Sequence, residues 1–141
     1  MEKERPKVGI GVIVRKGDMI LIGERLDGHG KNTYMIPGGH LEFGESFEET
    51  AKREVKEETG LEHVEVKGII SIGNDIAYDK HYVSIGVLAE YIDGEPYNAE
   101  PEKAQNWYWC DPHNIPEPFF LPSKKVVKNW LADIVYSDAS L

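Results

Sequence analysis

The chain has 141 residues, of which 40% are hydrophobic and 29% are charged, a balance typical of one globular domain and not of a disordered tail. Its 16 lysines and arginines against 25 acidic residues give a formal net charge of −9, which disfavours general binding to DNA or RNA. The single cysteine, Cys110, excludes an intrachain disulfide. No apolar run approaches the roughly 20 residues of a membrane helix, and the first residues lack the apolar stretch of a secretory signal. We therefore expect one domain over residues 1–141, located in the cytoplasm, that binds neither nucleic acid polymers nor membranes.

Strands dominate the first part of the chain, because short apolar segments alternate with turn residues. The pattern predicts a β-hairpin at residues 8–25, a loop at residues 27–32 and a strand at residues 33–36. Lys16-Gly17-Asp18 is the expected hairpin turn, and Pro37-Gly38-Gly39 is expected to end the third strand. We therefore expect three strands before the first helix.

The first helix is predicted from its two ends. Ser46 followed by Glu49 is a capping-box pattern, in which each side chain accepts a hydrogen bond from the other residue's backbone N–H. Glycine is common just after a helix, and Gly60 is placed to end this one. The helix is therefore expected to run from Ser46 to about Thr59.

The second part of the chain again alternates strands with turns before a last helix. Strands are predicted at residues 64–72, 81–91 and 105–110, with turns at residues 73–75 and 78–80 and a proline-rich loop at residues 111–122. The last helix is predicted from an apolar face formed by Val126, Val127, Trp130, Leu131, Ile134 and Val135. This order of elements indicates an α+β sandwich.

The helix that follows Ser46 carries acidic residues where a purely structural helix would carry apolar ones. On a helical wheel its inward side is defined by Phe47, Ala51 and Val55. Glu54 and Glu58 lie on the same stripe and Glu57 lies beside it, so three carboxylates converge near the negative end of the helix dipole. Unless they are neutralised, partly buried carboxylates are costly, and divalent cations with oxygen ligands would neutralise them. Paired arginines or an exposed acidic helix end are the other interpretations.

A glycine-rich loop precedes this acidic helix. Gly38 and Gly39 are adjacent and Gly44 follows, so the backbone can bend tightly and approach a ligand or a metal closely. Such loops are common turns when they stand alone. The position of this one, directly before the carboxylates, indicates a site for metal-bound phosphates.

The segment Gly39–Leu61 is similar to the signature of the Nudix hydrolase family, G-x5-E-x7-R-E-U-x-E-E-x-G-U, and matches it at every position. The resemblance implies a Nudix-type α/β/α sandwich with a mixed β-sheet, and hydrolysis of a nucleoside diphosphate linked to another group. It also implies that Mg²⁺, or alternatively Mn²⁺, is bound by Gly38, Glu54, Glu57 and Glu58. Arg53 would orient the carboxylates, Glu45 would brace the loop against the helix, and Glu54 is the first choice as general base, although family members differ in which acid has this role.

In many relatives a further acid outside this signature completes the metal site or acts as the base. Glu100 and Glu102 are the candidates here, since both precede the aromatic strand Trp107–Trp109. We favour Glu102 as the metal-binding and catalytic acid. The alternative is that both belong to an ordinary polar loop.

Residues 37–46 resemble the MutT-related nucleoside triphosphate diphosphatases, particularly the MutT-homologue-2 type, which convert a (d)NTP into a (d)NMP and pyrophosphate. A small-molecule nucleotide is therefore the expected substrate, and the substrate-binding candidates are Gly38, Gly39, Arg25, His29, Phe119 and Phe120. The alternative, that the two phenylalanines anchor their loop to the core, is the more common arrangement for such residues.

Alternatives to this activity differ in substrate or in class. ADP-ribose or a sugar nucleotide is the nearest alternative substrate, and an mRNA-decapping role is less favoured because the chain has no basic RNA channel. A non-catalytic nucleotide sensor is disfavoured because all three acids of the signature are present. A homodimer is compatible with the apolar segments at residues 69–72 and 83–88, which could also serve the core.

Overall fold

The computed structural model describes residues 3–136. In chain order its elements are β1 (Lys7–Lys16), β2 (Met19–Arg25), β3 (Thr33–Met35), β4 (Gly38–His40), α1 (Phe47–Thr59), β5 (Val64–Ala77), β6 (Lys80–Tyr91), β7 (Ala104–Cys110) and α2 (Leu121–Ala132). Neither helix of this part of the chain is long and apolar enough to cross a membrane.

The strands form one mixed sheet in the order β3-β2-β1-β6-β5. Parallel pairing of β1 with β6 makes the sheet mixed, while β4 pairs antiparallel with β1 and β7 pairs antiparallel with β2. Successive residues of β1 point to opposite faces, so Val12 packs in a core with Val55 of α1, whereas Ile13 packs with Val127 of α2. The predicted α/β/α sandwich is confirmed.

Both ends of α1 confirm the prediction from sequence. The Ser46 hydroxyl accepts a hydrogen bond from the Glu49 N–H at 3.0 Å, and the Glu49 carboxylate accepts one from the Ser46 N–H at 2.9 Å. Gly60 has φ +78°, and its N–H donates to the Lys56 carbonyl at 2.9 Å. The helix that carries the acidic residues therefore has defined ends.

Two strands differ from their predictions. Gly38 and Gly39, expected to stop the third strand, belong with His40 to β4, because the backbone of this segment pairs with Gly9–Gly11 of β1. The predicted turn at residues 73–75 is instead part of β5, which continues to Ala77 because β6 pairs with it along this length. In both cases a neighbouring strand outweighs the local preference of turn residues.

Three helical predictions are wrong in detail. Phe47, expected on the inward side of α1, is 39% exposed because it stands in the first turn, beyond the core. The helix α2 begins inside the predicted loop, at Leu121, and ends at Ala132, where Asp133 adopts φ +56°. Ile134 and Val135 therefore lie beyond the helix and are about half exposed.

Polar contacts fix α2 against β5. Lys125 Nζ lies 3.3 Å from Asp75 Oδ1, and both side chains are almost completely buried. One turn further on, Asn129 Nδ2 donates to Ser71 Oγ at 3.0 Å. The helix is thus held by directional bonds in addition to its apolar face.

Candidate active site

The short strand β4 brings the backbone next to the carboxylates of α1. The Gly38 N–H donates to Glu58 Oε1 at 2.7 Å. A Cβ atom at Gly38 would overlap the Ile10 carbonyl oxygen, and a Cβ atom at Gly39 would overlap the Glu54 carboxylate. Only glycine fits at Gly38, because the obstacle is backbone, whereas at Gly39 a Cβ atom would displace the Glu54 carboxylate.

Arg53 is the centre of the carboxylate cluster. Its guanidinium binds Glu45 through two hydrogen bonds of 2.7 and 2.9 Å, and it donates to Glu54 Oε1 at 2.7 Å and to the His40 carbonyl at 3.0 Å. Glu57 Oε2 lies 3.4 Å from the same guanidinium. Hydrogen bonding to Arg53 lowers the pKa of Glu45 to about 2, so this brace stays ionised at neutral pH.

Glu58 and Glu54 are the buried acids of the cluster. Glu58 is 6% exposed, and burial raises its pKa to about 8 although the Gly38 N–H favours the charged form. Burial also raises the pKa of Glu54, against the opposing effect of Arg53. The charge of Glu100 contributes to the raised pKa of both, so this acid lies close enough to act on them.

The donor set of this cluster fits a divalent cation such as Mg²⁺ or Mn²⁺. The groups are carboxylate oxygens, and burial opposes the negative charge of Glu54 and Glu58. As the side chains stand, no group of three acidic, histidine or cysteine residues within residues 3–136 could hold a metal together. In this arrangement the Arg53 guanidinium binds Glu54 and Glu57.

Of the two acids outside the helix, the structure brings Glu100 and not Glu102 towards the cluster. The Glu100 side chain is 23% exposed, whereas Glu102 is exposed. A turn at residues 100–104, in which the Lys103 and Ala104 N–H groups donate to the Glu100 carbonyl, sets this difference. The preference for Glu102 is therefore corrected, since spacing alone could not show how the loop turns.

A cleft of about 110 Å³ adjoins Gly38 and Gly39. Its polar and aromatic lining includes Arg25, His29, His40, Tyr82, Ser84 and Phe120. The Arg25 guanidinium carbon lies 4.2 Å from the centre of the Phe120 ring, and Arg25 Nε donates to the His29 carbonyl at 2.6 Å. Arg25 is thereby held against one wall of the cleft.

Stacked rings form a second wall, which adjoins Phe120 through His29. Tyr82 stacks on His29 with ring centres 5.3 Å apart and on His40 with ring centres 5.5 Å apart. Burial lowers the pKa of His29 to about 4, and burial also lowers the pKa of His40. Both imidazoles are therefore neutral at neutral pH, so the wall presents uncharged aromatic surface.

The structure separates the two phenylalanines that the sequence grouped. Phe120 lines the cleft together with Arg25 and His29, and the substrate-binding role of these three residues stays a prediction. Phe119 is 2% exposed and packs in the core beneath α2, so its expected place in the substrate site is wrong. Phe119 forms a strand-like bridge to Tyr34, and neighbouring side chains of an extended segment point in opposite directions.

Sequence reasoning missed His40, Tyr82 and Ser84. The last two are polar positions that alternate with apolar ones along β6, and this period-two pattern was the available signal. His40 has no such signal, because only the pairing of β4 with β1 brings it to the cleft.

Comparison with known proteins decides the family. A family model for the NUDIX domain matches residues 5–131. The chain belongs to the Nudix family. Nudix hydrolases generally use divalent metal ions, in agreement with the donor chemistry of the carboxylate cluster.

Several proteins are similar to this Nudix chain in sequence. An ADP-ribose pyrophosphatase of Methanocaldococcus jannaschii is 31% identical over 128 residues, which are 89% of this chain and 73% of the relative. An NAD-capped RNA hydrolase, NudC, of Actinobacillus succinogenes is 38% identical over 105 residues, which are 71% of this chain and 39% of the relative. The chain thus spans about two fifths of the length of that NudC.

Solved structures agree on the Nudix fold. A MutT NUDIX hydrolase from Burkholderia pseudomallei superposes with a TM-score of 0.79 at 25% identity, covering 89% of this chain and 98% of the other. The MutT protein from Methanosarcina mazei Go1 superposes with a TM-score of 0.80 at 19% identity, covering 94% and 98%. The second likeness concerns the fold alone.

Proposed function

We propose that this Nudix hydrolase cleaves a pyrophosphate bond of nucleoside triphosphates, converting a (d)NTP and water into a (d)NMP and pyrophosphate. One observation carries the proposal: Gly38 lines the aromatic cleft, and its N–H also binds Glu58 of the carboxylate cluster. The cleft, which we propose binds the base, and the carboxylate cluster, which we propose binds the metal-bound phosphates, therefore meet at one residue. A nucleotide likewise joins a ring-containing nucleoside to a chain of phosphates.

The carboxylate cluster would hold the cation, Mg²⁺ or alternatively Mn²⁺. The proposed ligands are the oxygens of Glu54, Glu57, Glu58, the Gly38 carbonyl and Glu100, the last in place of Glu102. A bound cation neutralises phosphate charge and lowers the pKa of water. The net charge of −9 makes such neutralisation necessary, because the chain otherwise repels a polyphosphate.

Three further roles follow from the contacts of Arg53. Glu54 is the proposed general base, since its carboxylate lies against Gly39 within the cluster that would hold the cation, and a water activated there would need a nearby proton acceptor. Arg53 fixes the direction of the Glu54 carboxylate through their 2.7 Å hydrogen bond. Glu45 in turn holds Arg53 through two bonds, and it acts as a brace that does not take up protons.

The cleft would hold the base. The neutral rings of His29 and Tyr82 and the ring of Phe120 contribute aromatic surface to the lining, and Arg25 and Ser84 contribute polar groups beside them. Apolar and aromatic surface with few polar groups is typical of nucleotide sites. This composition favours a nucleoside over a simple polyphosphate as the substrate.

ADP-ribose is the second candidate substrate, and the Methanocaldococcus jannaschii relative favours it because that protein matches most of this chain. A capped RNA is a further alternative, suggested by the name of the NudC relatives. The acidic net charge disfavours it, and we propose that the chain binds no nucleic acid polymer. A cytoplasmic location and a homodimer are likewise predictions.

The test is a substrate panel. Purified protein with Mg²⁺, and in parallel with Mn²⁺, is incubated with dNTPs, NTPs, modified NTPs, ADP-ribose, sugar nucleotides and an NAD-capped RNA, and the products are separated by chromatography. Monophosphate and pyrophosphate from triphosphates support the proposal. Cleavage of ADP-ribose alone replaces the substrate but keeps the chemistry, and no turnover of any compound contradicts the enzyme assignment.

A pair of variants separates an enzyme from a nucleotide sensor. Glu57→Gln removes one proposed ligand and should abolish turnover while nucleotide binding is partly retained. Glu48→Gln is the matched control, because Glu48 lies on the same helix with its side chain 58% exposed and paired with Lys52. Equal activity of the Glu57 variant and the control would contradict the proposed role of the cluster.

A further inference from the structure

His40 contacts both halves of the site. Its backbone carbonyl accepts a hydrogen bond from Arg53 Nη2 at 3.0 Å, and its imidazole Nε2 is hydrogen-bonded to Tyr82 Oη at 2.7 Å. The His40 and Tyr82 rings are also stacked at an angle of 27°. One residue therefore joins the guanidinium that holds the carboxylates to the wall of the cleft.

Tyr82 continues this connection into the cleft. It lies at the start of β6, opposite Lys7 of β1, and its ring stacks on His29 at an angle of 15°. Tyr82, His29 and His40 all line the cleft, so they are within reach of a ring bound there. The contacts run from His29 through Tyr82 and His40 to Arg53, which donates to Glu54.

We propose that His40 and Tyr82 form a positioning pair that couples occupancy of the cleft to the placement of Arg53 and Glu54. This inference rests on the proposed function, in which the base occupies the cleft. Binding energy from a remote part of a substrate raises kcat only when it reaches groups that act in the transition state. The hydrogen bond between His40 and Tyr82, followed by the His40 carbonyl, is a physical route for that transfer.

The pair is distinct from the residues that act on the reacting atoms. The His40 and Tyr82 side chains bind each other, and the cluster is reached through the His40 backbone. Loss of the hydrogen bond between His40 and Tyr82 should therefore leave the carboxylates of the cluster in place, but Arg53 should hold Glu54 less firmly. The expected signature is a lower kcat with little change in KM.

The test is a double-mutant cycle on the substrate that the panel identifies. Tyr82→Phe keeps the stacked ring and removes the hydroxyl, and His40→Leu removes the ring nitrogens. Each change should lower kcat about three- to tenfold, and Tyr82→Phe should change KM less than about twofold. The double variant should have a kcat no lower than that of His40→Leu alone. Tyr91→Phe is the control, because Tyr91 lies on the same strand and its hydroxyl donates to the Gly94 carbonyl outside the cleft.

A conservative variant supplies a second readout. His40→Gln can place an amide nitrogen where Nε2 lies, and it should recover most of kcat when Tyr82 is present but not when residue 82 is phenylalanine. Losses that multiply in the double variant, or a Tyr82→Phe enzyme with wild-type kcat, overturn the inference. A raised KM with unchanged kcat also overturns it, since the rings then only bind. Failure of the proposed function differs, because the wild-type chain would then hydrolyse no triphosphate of the panel.

Discussion

Glu58 makes the stability of the protein depend on pH in the absence of divalent cations. Its carboxyl is buried against the Gly38 N–H, and its pKa is raised to about 8 from the ordinary value of 4.5. The folded state therefore holds a proton that the unfolded state releases between these two values. Stability is retained below pH 4.5 and decreases as the pH rises towards 8, the opposite of the behaviour of a salt-bridged acid.

The size of the effect follows from linkage. Each pH unit between the two pKa values costs about 1.4 kcal/mol of unfolding free energy, so the change between pH 5 and pH 8 is at most about 4 kcal/mol. Glu58→Gln keeps an oxygen that can accept from Gly38 and cannot ionise. We expect the variant to match the wild type near pH 5 and to be more stable at pH 8.

Urea unfolding of both proteins in EDTA, at half-unit steps from pH 5 to pH 8, measures the difference directly. The difference between the two proteins isolates Glu58 from other titrating groups such as His29, whose lowered pKa affects both proteins alike. Glu48→Gln should show no such trend. If the unfolding free energies of the wild type and of Glu58→Gln decrease in parallel as the pH rises, the reasoning is refuted, because the buried carboxyl of Glu58 is then not the group that titrates.

Five other substitutions, in three tests, examine particular contacts. Gly39→Ala should reduce activity at least tenfold, measured as kcat, because the added Cβ would overlap the carboxylate that faces it. Phe119→Ala should cost about 3–5 kcal/mol in urea unfolding with KM unchanged, whereas Phe120→Ala should raise KM, since only the second ring lines the cleft. Glu100→Gln should lower kcat or weaken the Mg²⁺ dependence, and Glu102→Gln should do neither; equal effects would show that the turn does not select between the two acids.

Sequence alone predicted those parts of the site that are continuous in the chain. The capping box, the C-terminal glycine and the acidic stripe of α1 all depend on spacing within one helix, and the structure confirms both caps and the burial of Glu58. The metal and catalytic roles of these acids are still predictions. Local patterns suffice here because a helix relates residues three and four positions apart.

The cleft was less predictable because distant strands build it. His40 reaches Tyr82 across 42 positions, and Gly38–His40 is a strand only because β1 lies beside it. Adjacent glycines give no β-preference of their own, and proline before them indicates a turn. Which of Phe119 and Phe120 is buried also depends on the pairing of Phe119 with Tyr34. These residues are far apart in the chain, so no local pattern predicts this pairing.

The polar anchoring of α2 has a consequence for how the cleft selects its occupant. Apolar contacts alone would let the helix slide along the sheet, whereas the Lys125–Asp75 contact and the Asn129–Ser71 hydrogen bond form only at one position of the helix. Ser123 and Val126, which belong to the wall of the cleft, lie on this anchored helix. The width of the cleft is therefore fixed. If the cleft holds the base as proposed, the affinity for nucleotides with bases of increasing size should fall abruptly at one size and not decline gradually.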